Sequence, residues 1–198
     1  MSTAHAPSSS KPIATLRSAT GMPTGRLALW WLLCSEIVIF GGVLMSYIMH
    51  RIGHPEWANQ AMNTSVIHGG FNTFVLLTSS LSAVLAHHAA EEGNGKKAAK
   101  LLVLTMVGAV VFLLVKSHEW YNEINHGYTW TSSTFWAFYY TAAGIHASHV
   151  VGGGIVMGWV AWNAWHGREL QRVELIGIYW HFVDLVWIFL FPLLYIAK

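Results

Sequence analysis

The sequence predicts an all-α membrane protein, a bundle of five transmembrane helices with the N-terminus in the cytoplasm and the C-terminus outside. Three observations predict it. Of 198 residues, 54% are hydrophobic and only 10% are charged, against about a quarter charged in ordinary soluble domains. A soluble domain of this size could not hide so much apolar surface, whereas lipid tails are as apolar as Leu. The apolar residues come in continuous runs of helical length rather than the short alternating strands of a β-barrel, the other structure that crosses a bilayer. Third, Lys and Arg fall unevenly on the two sides of those runs.

A crossing needs about 20 mostly apolar residues. Residues 1–25, rich in Ser, Ala, Thr and Pro, read as a flexible tail ahead of a transmembrane domain over 26–198. They do not read as a signal peptide, because the polar stretch and the apolar run after it are both too long. Span one covers about 27–49, interrupted only by Glu36. Span two, about 66–86, has no Asp, Glu, Lys or Arg, and Asn72, Thr73, Thr78, Ser79 and Ser80 give it a polar face suited to packing. Span three, about 100–120, has a short charge-free core that Lys100 and Lys116 extend by snorkelling. Span four, about 134–163, lies inside the uncharged stretch 127–167. Span five, about 175–197, is interrupted by Asp184.

Loop charges orient the bundle. Lys11, Arg17, Arg26, Lys96, Lys97, Lys100, Arg168 and Arg172 fall on one side, against Arg51, Lys116 and Lys198 on the other. The richer side is cytoplasmic. Trp30, Trp31, Trp57, Trp120, Trp130, Trp162 and Trp165 fall at span ends, where interfacial anchors are expected. Several function classes drop out. The single Cys34 excludes an internal disulfide or a Cys-based metal or iron–sulfur site. There is no basic stripe with interleaved aromatics for nucleic acid. A phosphate loop, a nucleophile setting and an H-E-x-x-H pair are also missing.

Ionisable groups inside a bilayer are costly, so each calls for a reason. Glu36 lies mid-span and should be protonated or hydrogen-bonded. It is either a proton-linked or lipid-head-group contact, or a neutral Glu bonded to a neighbouring helix. His146 and His149 share a face of span four; His181 and Asp184 share a face of span five, with Glu174 two turns earlier. These five can form one buried polar cluster stapling spans four and five. Interhelical hydrogen bonding is favoured over a metal site, because no span carries the Glu-x-x-His pairs of a di-metal bundle. Lys116, His118 and Glu119, followed by Glu123 and His126, read as a solvated helix end. Two stripes of small residues on span four, Gly144/Ser148/Gly152 and Ala147/Gly154/Gly158/Ala161, and a seam of Ala28, Ser35 and Gly42 on span one, suit close helix packing. They call for neighbours on two sides or in another subunit.

Four segments in order resemble a known family. Residues 179–191 (YWHFVDLVWIFLF), with Glu174 seven residues before His181, are similar to the last-helix signature of subunit III of haem–copper oxidases. Residues 144–152 (GIHASHVVG), 35–40 (SEIVIF) and 72–80 (NTFVLLTSS) resemble three further helices of that family. The resemblance covers about 27–196. It implies a non-catalytic subunit, with no haem, copper or other cofactor of its own, in a proton-translocating respiratory complex of a bacterial inner membrane. It further implies packing on catalytic subunit I beside copper-binding subunit II, bound phospholipid, support of proton uptake and complex stability, and a place in a respiratory supercomplex. An aa3-type cytochrome c oxidase is the expected complex. A quinol oxidase or a nitric oxide reductase is the alternative, and a small proton-coupled transporter stands behind both. Departures matter too. The mitochondrial form has seven helices, and the two expected to be missing here flank the family's lipid cleft. Lys116 and Glu119-Trp120 stand where many members have Gln and Glu-Tyr, and Pro192 interrupts the last helix.

Overall fold

The computed structural model describes residues 23–197, so the expected tail lies, up to residue 22, outside the described residues. Six α-helices follow one another: α1 (Thr24–Ile52), α2 (Trp57–Ala61), α3 (Val66–Glu91), α4 (Gly95–Asn125), α5 (Thr134–Trp165) and α6 (Gln171–Phe191). A π-helical turn, Pro192–Ile196, continues α6. The expectation of five helices therefore misses α2, a short helix inside the first loop. Four segments are long and apolar enough to cross a membrane, namely Thr24–Ile52, Val66–Glu91, Gly95–Asn125 and Gln171–Ile196. The chain is a multi-pass membrane protein. Helix α5 has 32 residues and no charge, but its Gly, His, Trp and Tyr content keeps it from meeting the same measure of apolarity.

The helix starts follow local rules. Ser65, Asn94 and Ser133 stand at the N-caps of α3, α4 and α5, each accepting a bond from the backbone N–H three residues on, at 3.4, 3.1 and 3.4 Å. Helix α4 ends at Gly127, whose φ of 84° only glycine adopts without strain. The turn closes with Tyr128 N–H donating to the Glu123 carbonyl at 3.0 Å, which folds Tyr128 back over the helix end. Pro192 has no N–H to give, and the chain responds with a π turn closed by Ala197 N–H on the Pro192 carbonyl at 2.8 Å.

Helices α3, α4, α5 and α6 form a closed ring, each packed on the next and α6 back on α3, while α1 lies outside against α5 and α6. Small residues set the closest approaches. A Cβ on Gly108 would fall 2.7 Å from Ser79 Cβ across the α3–α4 seam, where Ala83 and Ala86 are fully buried. Hydroxyls line the same seam: Ser82 and Thr105 are bonded at 2.7 Å. Trp180 and Trp187 donate from α6 to Ser79 and Thr73 at 3.1 and 3.0 Å. The polar face of α3 is thus spent on its two neighbours, except for Thr78, which is exposed and bonds the Phe74 carbonyl of its own helix. Thr105→Val should cost about 1 kcal/mol, the upper range for one interhelical bond in a membrane. Thermal melts of the purified chain check it; an unchanged midpoint would remove the hydroxyl seam as a source of stability.

Two expectations are corrected here. Trp57 is no interfacial anchor: it is buried among Tyr47, Phe135 and Phe138, because α2 folds it back under the bundle end. Trp30, Trp31, Trp130, Trp162 and Trp165 are exposed. The small stripes of α5 are only partly used within the chain. Gly158 meets Met106 of α4 and Gly153, outside both stripes, meets Tyr179 and Trp180 of α6, whereas Gly152 and Gly154 face open space. The Ala28, Ser35 and Gly42 seam of α1 is exposed throughout.

Candidate functional site

The strongest concentration of buried charge lies where α4 ends. Lys116, Glu119 and Glu123 follow one stripe of α4, and all three are buried, at 2%, 2% and 6% exposure. The expected solvated helix end holds only for His118 and His126, which are exposed. The reason is tertiary: α5 and the π turn bring Tyr139 and Tyr195 onto the stripe. Lys116 Nζ donates to Glu119 Oε2 at 3.1 Å, to Tyr139 Oη at 2.8 Å and to Tyr195 Oη. Tyr139 donates to Glu123 Oε1 at 3.0 Å and Tyr195 to Glu119 Oε2 at 3.1 Å. The ammonium also sits 4.5 Å from the Tyr139 ring centre and 5.0 Å from that of Tyr195. Sequence reading missed the two tyrosines and the closure. The signal within reach was the i, i+3, i+7 spacing of Lys116, Glu119 and Glu123, which puts them on one face.

The five residues expected to cluster between α5 and α6 do not converge. His149 turns to α1, its Nε2 2.8 Å from Glu36 Oε2. The approach is at ion-pair distance without the alignment of a good hydrogen bond. His181 on α6 bonds Ser80 on α3. Glu174 pairs with Arg26 at 2.6 Å on the half-exposed flank of α1. His146 is fully buried with both ring nitrogens unpartnered, packed on Phe112 and Trp187 with ring centres 5.5 and 5.2 Å away. Asp184 lies beside Ser80, its oxygens without a hydrogen bond of normal geometry. Residues at i, i+3 share a broad face but point about 60° apart, enough to send His146 and His149 to different helices. No group of three or more His, Cys, Asp or Glu is disposed around a metal among the described residues.

Glu36 itself is 8% exposed and turned inward. The His149 Nδ1 lies 2.8 Å from the Ile145 carbonyl, which can only accept, so Nδ1 carries hydrogen. That leaves Nε2 facing the Glu36 carboxyl.

Compared with known protein families, residues 19–198 match the model of cytochrome c oxidase subunit III. The chain belongs to that family. Among similar members, cytochrome c oxidase subunit 3 of Bacillus sp. (strain PS3) is 30% identical over 193 residues, 93% of this chain and 92% of that protein. The subunit 3 of Corynebacterium diphtheriae is 29% identical over 173 residues, 84% of each chain. A haem–copper oxidase subunit I+III of Aeropyrum pernix is 28% identical over 183 residues, 87% of this chain and 22% of that much longer protein. For this subunit III family member, Glu36, the two α5 histidines and the α6 signature all lie on helices, and the Lys116 cluster lies at the opposite end of α4 from the cap Asn94.

Proposed function

We propose that the chain is the non-catalytic subunit III of an aerobic haem–copper oxidase, an aa3-type cytochrome c oxidase of a bacterial inner membrane. It crosses five times, α5 included, with its N-terminus in the cytoplasm, and packs on catalytic subunit I beside copper-binding subunit II. The observation that carries this reading is the family match over nearly the whole chain. A relative whose name joins subunits I and III supports the pairing with subunit I. So does the unpartnered outer face: α1 exposes Trp31, Val38 and Ile52 at 72%, 74% and 77%, and the stripe of Gly144, Ser148 and Gly152 has room for another helix.

Haem and copper reside in the partner subunits. Phospholipid is the ligand of this chain. An almost wholly apolar groove of about 480 Å³ runs between α1, α5 and α6, lined by Leu29, Leu32, Val156, Tyr179 and Arg172, the last paired with Glu169 at 2.8 Å. Acyl chains suit the groove and a phosphate suits the guanidinium. The Glu36–His149 pair, a carboxyl and an imidazole 2.8 Å apart on α1 and α5, is the group through which the subunit supports proton uptake by its partner.

A mild-detergent pull-down of the chain, followed by a reduced-minus-oxidised spectrum and mass spectrometry, tests the assignment. A haem a signal with subunits I and II is expected. A chain that comes down alone and colourless, under conditions that keep known oxidases intact, would overturn it.

A further inference from the structure

Counting protons around Lys116 leaves a vacancy of charge. The ammonium has three N–H groups, and Glu119 Oε2, Tyr139 Oη and Tyr195 Oη take all three. Each tyrosine has one hydroxyl proton, and both go to carboxylates, Tyr139 to Glu123 Oε1 and Tyr195 to Glu119 Oε2. Tyr140 stands near Glu123, but it gives its proton to the Tyr128 carbonyl at 2.7 Å. No donor of the cluster is left over. Glu119 Oε1 and Glu123 Oε2 are buried with no hydrogen-bond partner. Two carboxylates face one ammonium, so the ionised cluster carries one net negative charge at only 2% and 6% exposure of its carboxylate residues. An uncompensated buried charge is among the most expensive arrangements in a protein.

These two residues also line a cavity of about 280 Å³ between the start of α3 and the end of α4. Asn63, Ser65, Asn122, His68 and His126 also line it, the Ser65 hydroxyl being engaged by His68. Amide, hydroxyl and carboxylate oxygens suit a hard cation. The lack of a three-residue His, Cys, Asp or Glu set among the described residues disfavours a transition ion. The neighbouring ammonium and the single net charge disfavour a divalent one.

We propose that the cavity is a binding site for one monovalent cation, with Glu119 and Glu123 as its charged ligands. The shared chemistry is one unit of positive charge, supplied by an alkali ion or by a proton entering from the α4 C-terminal side. The site does not depend on which oxidase the subunit serves. The imidazoles of His68 and His126 flank its mouth, and Lys116, Tyr139, Tyr140 and Tyr195 face the carboxylates from inside.

The test uses the full chain in mild detergent, as wild type and as Glu123→Gln, which keeps the shape and the acceptor for Tyr139 while removing the excess charge. Radioactive sodium binding is measured at equilibrium, and the infrared carboxylic-acid band is measured without sodium. If the source is an alkali ion, wild type binds one sodium per chain more than the variant. If it is a proton, wild type shows a carboxylic-acid band that the variant lacks and sodium does not displace. Equal sodium binding together with the same carboxylic-acid band in both proteins would overturn the site. Should Glu123→Gln fail to fold, Glu123→Asp is read instead: it keeps the charge but withdraws it by one methylene. Weakened binding or a shifted band is expected, and no change in either overturns the proposal.

Discussion

Lys116→Met is expected to destabilise the chain by about 3–5 kcal/mol, the range for stripping one partner from a buried ion pair. The variant keeps the volume and deletes the charge. Glu119 and Glu123 are then two neighbouring carboxylates with no cation beside them, at 2% and 6% exposure, where solvent screens them poorly. Tyr139 and Tyr195 also lose the donor that orients them. The loss should be largely one of charge, not packing. Lys116→Met combined with Glu119→Gln should therefore recover a good part of it, because the pair leaves together. Lys116→Gln should lose less than Lys116→Met, since an amide N–H still reaches toward Glu119. Reversible denaturation of the purified chain in detergent measures all three. If Lys116→Met unfolds at the wild-type midpoint, the ion pair contributes nothing and the cluster is a passenger of the fold.

Gly95→Val should be the most damaging change at a small residue of a helix interface, at about 2–3 kcal/mol, the upper part of the range for overpacking. A Cβ at Gly95 would collide with the Ala164 carbonyl oxygen and lie 3.3 Å from its carbon and 3.2 Å from Leu170 Cδ2. The obstacle is backbone of α5, so no rotamer change relieves it, and α4 must move bodily from α5. Gly95→Ala already meets the same oxygen and should show most of the effect. Gly152→Ala is the control: nothing lies within 4 Å of its Cβ, and in the isolated chain it should change stability by less than about 0.5 kcal/mol. Equal melting of Gly95→Ala and wild type would mean that this close approach is dispensable.

Much of the architecture was legible before any coordinates. The apolar runs read as helices, and the described residues are helical there, because a bilayer leaves a chain almost no other choice; only α2 went unread. The candidate site was less legible. Glu36 and His149 were each singled out, yet their meeting was not foreseen, since it depends on how α1 is rotated against α5. His181, Asp184 and Glu174 read as one cluster with His146 and His149, and α6 instead turns His181 and Asp184 toward Ser80 of α3 and Glu174 toward Arg26 of α1. The Trp57 anchor became core because a five-residue helix in a loop carries too weak a periodic signal to be read.

By itself, then, the sequence determined a helical membrane protein of the subunit III family, because both conclusions rest on residue type and order along the chain. Hydrocarbon demands continuous apolar helices, and four motif segments keep their order whatever the packing. Only the tertiary structure decided which polar groups meet. A helix turns about 100° per residue, so small differences in rotation and depth choose between neighbouring helices for every buried side chain. The Lys116 cluster is the sharpest case, assembled from residues up to 79 positions apart in sequence, with its last member, Tyr195, set in place by a π turn that begins at a proline.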